Sequence, residues 1–114
     1  RLRALLRRPS AALGVRLAIG NVGLDTVSRT VELDDRTVPL SVRETALLEL
    51  LMRRQGGVVT REAIEQSLYS FDAAIGSNAV EVLVHRLRRK LADAGATPLL
   101  HTVRGVGYMI AEPP

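Results

Sequence analysis

The stretch SNAVEVLVHRLRRKL, residues 77 to 91, gathers His85, Arg86, Arg88, Arg89 and Lys90 beside Asn78, with no Gly or Pro to break a helix. At a helical turn of about 100° per residue, Val80, Leu83, Val84, Leu87 and Leu91 share one stripe, wide enough to face a core. Opposite them runs the line Asn78, Val82, His85 and Arg89, flanked by Arg86 and Lys90 on one side and by Glu81 and Arg88 on the other. Each type on that outer face has a partner in nucleic acid. Guanidinium groups suit guanine edges and phosphates, an exposed Asn amide suits a base edge, and an exposed Val suits a thymine methyl.

The plain alternative is a solvated basic face. Two features argue against it. Within residues 77 to 91 only Glu81 and His85 stand as acid and base in an i,i+4 relation, so Arg86, Arg88, Arg89 and Lys90 read as largely unpaired. The helix dipole favours cations near a C-terminus by about 0.3–1 kcal/mol, which accounts for some of them but not for Asn78 and Val82 at the outward beginning. Catalytic chemistry finds less support. The chain has no Cys, which excludes disulfides, thiol catalysis and cysteine zinc clusters. His85 and His101 are far apart with no carboxylate constellation near them, and GVG at 105 to 107 is only a fragment of a dinucleotide fingerprint. The reading is therefore a binding protein with no catalytic residues, cofactor or metal.

The elements that must position this helix are legible in outline. With 114 residues the chain can bury one modest core, and with Tyr69, Phe71 and Tyr108 as its only aromatics that core must be mostly Leu and Val. Sixteen Lys and Arg stand against twelve Asp and Glu, and the excess is clustered: residues 1 to 8 carry four Arg and no acid. Clustered Arg points to a polyanion partner. No apolar run approaches the roughly 20 residues of a membrane span, and Arg7, Arg8 and Arg16 interrupt any signal-like core. A cytoplasmic protein without membrane contact is expected, and the absence of an initiator Met suggests a piece of a longer chain.

Along the chain, RLRALLRR at 1 to 8 has helical Leu spacing, and residues 9 to 15 read as a linker. Runs 16 to 19, 22 to 25, 28 to 33 and 36 to 40 predict a small antiparallel meander. Ser41 and Glu44 have the spacing of a capping box opening a helix that Gly56 and Gly57 close. Thr60 caps a second helix to about Leu68, a loop follows, and after the basic helix HTVRGVGYMI predicts a hairpin with a Gly turn. Two helices, a third with a basic outer face and a hairpin carrying Arg104 give the order of a winged helix-turn-helix.

At this point a family is visible. LSVRETALLELLMRRQGGVVTRE at 40 to 62, SNAVEVLVHRLRRKL at 77 to 91 and TVRGVGYMI at 102 to 110 resemble the DNA-binding effector domain of OmpR/PhoB-type response regulators, and SNAVEV most resembles the PmrA/QseB branch. The resemblance implies an α+β fold with a four-stranded N-terminal sheet, three helices and a C-terminal hairpin wing. It implies that residues 1–15 are the end of a receiver-domain helix plus the interdomain linker, and that 16–114 form the effector domain. Mapped by motif position, Asn78, Val82, His85, Arg86 and Arg89 face the major groove. Arg88 and Tyr69 reach the DNA backbone, and Thr102, Arg104 and Tyr108 come from the wing. Tyr108 has a second reading, in which it simply packs the hairpin.

The implied partners are double-stranded DNA bound as a tandem dimer on a direct repeat, RNA polymerase through loop 69–77, and a sensor kinase acting on the absent receiver domain. Many relatives have His where this chain has Leu83, so one polar or phosphate contact is expected to be missing there. A non-catalytic winged-helix module binding an acidic protein is the alternative function.

Overall fold

A computed structural model describes residues 16–69, 78–96 and 98–112, with the backbone alone at Leu68 and Tyr69. The expected receiver-helix end and linker at 1–15, and all of loop 69–77 beyond Tyr69, lie outside the described residues. The chain begins with a meander of β1 (Arg16–Ile19), β2 (Val22–Asp25), β3 (Thr30–Leu33) and β4 (Arg36–Val38), paired antiparallel in that order. Its turns follow from residue type. Asp34 and Asp35 both take positive φ, 51° and 68°, as a two-residue hairpin loop between the paired Leu33 and Arg36 requires. Asp25 Oδ1 accepts the Val27 and Ser28 amides, which starts the longer turn into β3. Strand alternation then decides the faces: Val31 and Leu33 are buried while Thr30 and Glu32 are half-buried.

Helix α1 (Val42–Arg53) starts with the predicted capping box. The Glu44 amide donates to Ser41 Oγ at 3.1 Å, and the Ser41 amide donates to Glu44 Oε1 at 2.9 Å. Leu47, Leu48, Leu51 and Met52 are buried, with Leu50 packed partly against them. Helix α2 (Arg61–Tyr69) is capped by Thr60, whose Oγ1 accepts from the Ala63 amide. Helix α3 (Ala79–Asp93) buries Val80, Leu83, Val84, Leu87 and Leu91, the five residues of the apolar stripe. Each fully buried Leu or Val contributes on the order of 1.5–3 kcal/mol, so this stripe holds α3 against α1 firmly.

The sequence reading did not anticipate β5 (Val58–Thr60). It joins the hairpin of β6 (Leu100–Val103) and β7 (Gly107–Ile110) in a second sheet ordered β5-β7-β6, with Val59 opposite Tyr108 and Thr60 opposite Gly107. The wing is thus fastened to the segment between α1 and α2. The two Gly of GVG have separate reasons. Gly105 (φ +78°) is the third residue of a turn closed by the Val106 amide on Val103 O, a position that strongly favours glycine. Gly107 lies so close to β5 that a Cβ there would meet Val59 O at 2.0 Å.

Candidate nucleic-acid interface

The outward line of α3, from Asn78 to Arg89, keeps its polar groups uncommitted. Asn78 is the N-cap residue, yet its side chain makes no capping hydrogen bond, although capping is what Asn at that position usually does. Val82 is exposed, as are His85, Arg86 and Arg89. Among the described residues, the side chains of His85, Arg86, Arg89 and Arg104 make no hydrogen bond or ion pair. Arg104 stands at the start of the exposed wing turn.

Other cations proved to be engaged, which corrects the reading of four unpaired charges. Lys90 Nζ bonds Glu44 Oε1 at 2.7 Å, reaching across to the N-terminus of α1. Arg88 Nη2 donates to Thr102 Oγ1 at 3.0 Å, so these two expected DNA contacts touch each other and link α3 to β6. Glu81 is likewise taken by a partner other than His85. Arg61, at the start of α2, donates from Nε to Glu81 Oε2 at 2.6 Å and from Nη2 to Glu81 Oε1 at 3.1 Å. Spacing along one helix could not show either long-range pair. The sequence signal was a lone acid on an otherwise basic face, with only His85 four residues away to answer it.

These bonds set the local electrostatics. Hydrogen bonding to Arg61 holds the Glu81 carboxyl below its usual range, against a smaller opposing effect of burial. Arg61 is itself pushed up by Glu81 first and Glu65 second. At Glu44 burial is the largest influence and pushes the carboxyl up, but the Lys90 hydrogen bond, the Ser41 capping bonds and the Lys90 charge together bring it below its ordinary 4.5. Glu44 and Glu81 are therefore both anionic at neutral pH, each neutralising a cation near α3.

Tyr108 is buried within the core, 9% exposed, so its packing role is realised. It also lines a groove of about 300 Å³ beneath the wing, together with Arg61, Glu81, Thr102 and Val106. Leu83 is 7% exposed and sits with the core, as its place at the stripe's edge implied. Tyr69 ends α2, and its side chain lies outside the described residues. Among the described residues no group of acidic, His or Cys side chains is arranged to hold a metal, and no helix is long and apolar enough to cross a membrane.

Among the described residues, a four-stranded sheet, three helices of which the last presents free cations and an uncommitted amide, and a hairpin fastened beside it define a winged helix-turn-helix domain of the DNA-binding class. The family model described as "Transcriptional regulatory protein, C terminal" matches residues 35–110, and the chain belongs to that family, in its OmpR/PhoB type. It is 44% identical over 113 residues to the response regulator protein PmrA of Pseudomonas aeruginosa, covering 99% of this chain and 49% of that protein. It is 46% identical over 112 residues to the transcriptional regulatory protein QseB of Escherichia coli O157:H7, covering 98% and 49%. The chain thus spans about half the length of the curated relatives it matches. Among solved structures, the Klebsiella pneumoniae RstA DNA-binding domain in complex with the RstA box superposes with a TM-score of 0.72 at 30% identity, covering 84% of this chain and 96% of that one.

Proposed function

We propose that this chain is the effector domain of a two-component response regulator and controls transcription by binding specific DNA, with α3 in the major groove and the wing in the adjacent minor groove. The observation that carries the reading is the row of uncommitted groups on α3, from Asn78 through Val82, His85 and Arg86 to Arg89, beside the free Arg104 of the wing. A surface evolved for stability would pair its charges at i,i+4, whereas this one leaves donors open to base edges and phosphates. The RstA domain, a structural neighbour, is described with its own DNA box, which supports the same use of the fold here.

In this reading Asn78, Val82, His85, Arg86 and Arg89 meet bases or their phosphates, and Arg88, Thr102 and Tyr69 meet the backbone. Arg104 enters the minor groove, and the Tyr108 hydroxyl approaches a phosphate from a ring that is otherwise packed. Residues 1–15 end a receiver helix and form the linker, and 16–114 are the effector domain. A cytoplasmic sensor-kinase relay then acts on a receiver preceding Arg1, two copies bind a direct repeat in tandem, and loop 69–77 touches RNA polymerase.

Selection of binding duplexes from random oligonucleotides tests the core of this. A recovered consensus is expected, with log Kd rising by roughly 0.9 per neutralised phosphate for each unit of log salt. Arg86→Ala is expected to weaken binding by about 1–3 kcal/mol and to relax one position of the consensus. A chain that retains no DNA sequence above background, but binds an acidic protein surface, would overturn the reading. One copy per natural site would overturn the tandem arrangement alone.

A further inference from the structure

Glu81 is an anion on a face that otherwise attracts anions, and the residue that answers it lies on another helix. Arg61 grips both oxygens of Glu81, at 2.6 and 3.1 Å, and its third nitrogen, Nη1, bonds Glu65 Oε2 one turn along α2 at 2.5 Å. Its backbone amide donates to Val106 O in the wing turn at 3.3 Å. A single residue therefore touches α2, the first turn of α3 and the tip of the wing. A two-pronged guanidinium–carboxylate contact fixes orientation as well as distance, which a Lys ammonium cannot do. The side chains of Arg61 and Glu81 are 33% and 47% exposed, so the pair contributes little to global stability. Glu81 is adjacent to Val82 and one turn from Asn78, so whatever orients it orients the start of the reading line.

We infer that Arg61 is a positioning residue: its fork on Glu81 and its amide bond to Val106 together set the angle and spacing between the N-terminal turn of α3 and the wing tip, so that the two elements address adjacent grooves in register. Arg61 reaches no base itself. The inference rests on the DNA-binding reading above. Two simpler roles compete with it, neutralisation of Glu81 and a staple for folding.

Three variants separate these: Arg61→Lys, which keeps the charge and loses the fork; Arg61→Met; and Arg61→Met with Glu81→Gln, which keeps the net charge. Each is titrated, over a salt series, with the duplex selected by the wild-type chain and with a scrambled duplex, and each is melted thermally. Positioning predicts that Arg61→Lys and the double variant both lose about 5- to 30-fold in affinity for the selected duplex. Affinity for the scrambled duplex, the salt slope and the melting temperature are expected to stay at wild-type values.

Wild-type affinity in Arg61→Lys and the double variant, with a loss only in Arg61→Met, would mean charge neutralisation and overturn the inference. A parallel fall on both duplexes with a lowered melting temperature would mean a folding staple and overturn it equally. Because the chain has no Cys, Asn78→Cys and Arg104→Cys accept spin labels at unique sites. The distance distribution between them is expected to broaden in Arg61→Lys, and an unchanged distribution would count against positioning even without DNA. A wild-type chain that selects no duplex would instead remove the DNA-binding reading and leave this distance measurement to decide the geometry.

Discussion

The two ends of α3 are held by different means. At the C-terminal end Lys90 bonds Glu44, a carboxylate only 3% exposed that also completes the capping box of α1. Arg36 Nη2 and Asn21 Nδ2 add bonds to Ala94 O and Gly95 O just beyond the helix, at 2.7 and 3.3 Å. At the N-terminal end the clasp is the fork of Arg61 on Glu81, with both partners partly in water. Removing the partner of a buried charge leaves that charge uncompensated, whereas breaking a hydrated pair changes stability little. Damage at one end should therefore appear as lost stability, and damage at the other as lost recognition.

The contrast can be broken first at the wing, against whose tip the N-terminal clasp rests. Gly107→Ala drives a Cβ into Val59 O and Thr60 Cα, at 2.0 and 2.8 Å, both of them β5 backbone atoms with no flexible side chain between to yield. A loss of about 3 kcal/mol in urea denaturation is expected. Wild-type stability would show that the wing is not bound to β5 as described.

Next in size, Lys90→Met strands Glu44. Because the Lys90 side chain is 45% exposed, the cost is discounted to about 1–2 kcal/mol, read from the shift in denaturation midpoint. The same pair predicts a pH dependence. The folded-state pKa of Glu44 is depressed, so its contribution is fully present above the ordinary value of 4.5 and is lost as pH falls through the lower folded value. Glu44→Gln should flatten that acid limb of the stability profile, and an unaltered limb would remove Glu44 as its source.

Ser41→Ala, which loses one half of the capping box, is expected to cost about 1 kcal/mol by the same measurement. The smallest stability effect belongs to the reading line. Arg86→Ala and Arg89→Ala should lie within about 0.5 kcal/mol of the wild-type chain in the melt while weakening binding to the selected duplex. A large loss of stability in either would show that these side chains do structural work that their open surroundings do not suggest.

What the sequence revealed and what it hid follow the same division between local and distant. The capping box, the Asp-Asp hairpin region, the five-residue stripe of α3 and its outward line are all set by residues within a few positions of one another, and periodicity reports them directly. β5 escaped because three residues with only Val59 buried leave no pattern, and its partner β7 lies nearly fifty residues away in sequence. Arg61 escaped for a related reason. On α2 it looks like an ordinary i,i+4 mate of Glu65, and only the fold brings Glu81 to its other edge. Lys90 looks unpaired along its own helix because its acid, Glu44, stands on α1, 46 residues away in sequence, where it also serves the cap. One carboxylate serves both, a sharing that spacing cannot disclose.

The place of β7 in the middle of the second sheet has a consequence for the duplex rather than for the protein. Held by β5 on one side and β6 on the other, the wing has little room to swing toward a groove that lies too near or too far. On the DNA-binding reading proposed above, the protein acts as a caliper of nearly fixed opening, and the DNA supplies the adjustment by narrowing or bending between the two proposed contacts. Sequences that deform easily there would be favoured at base pairs no side chain touches.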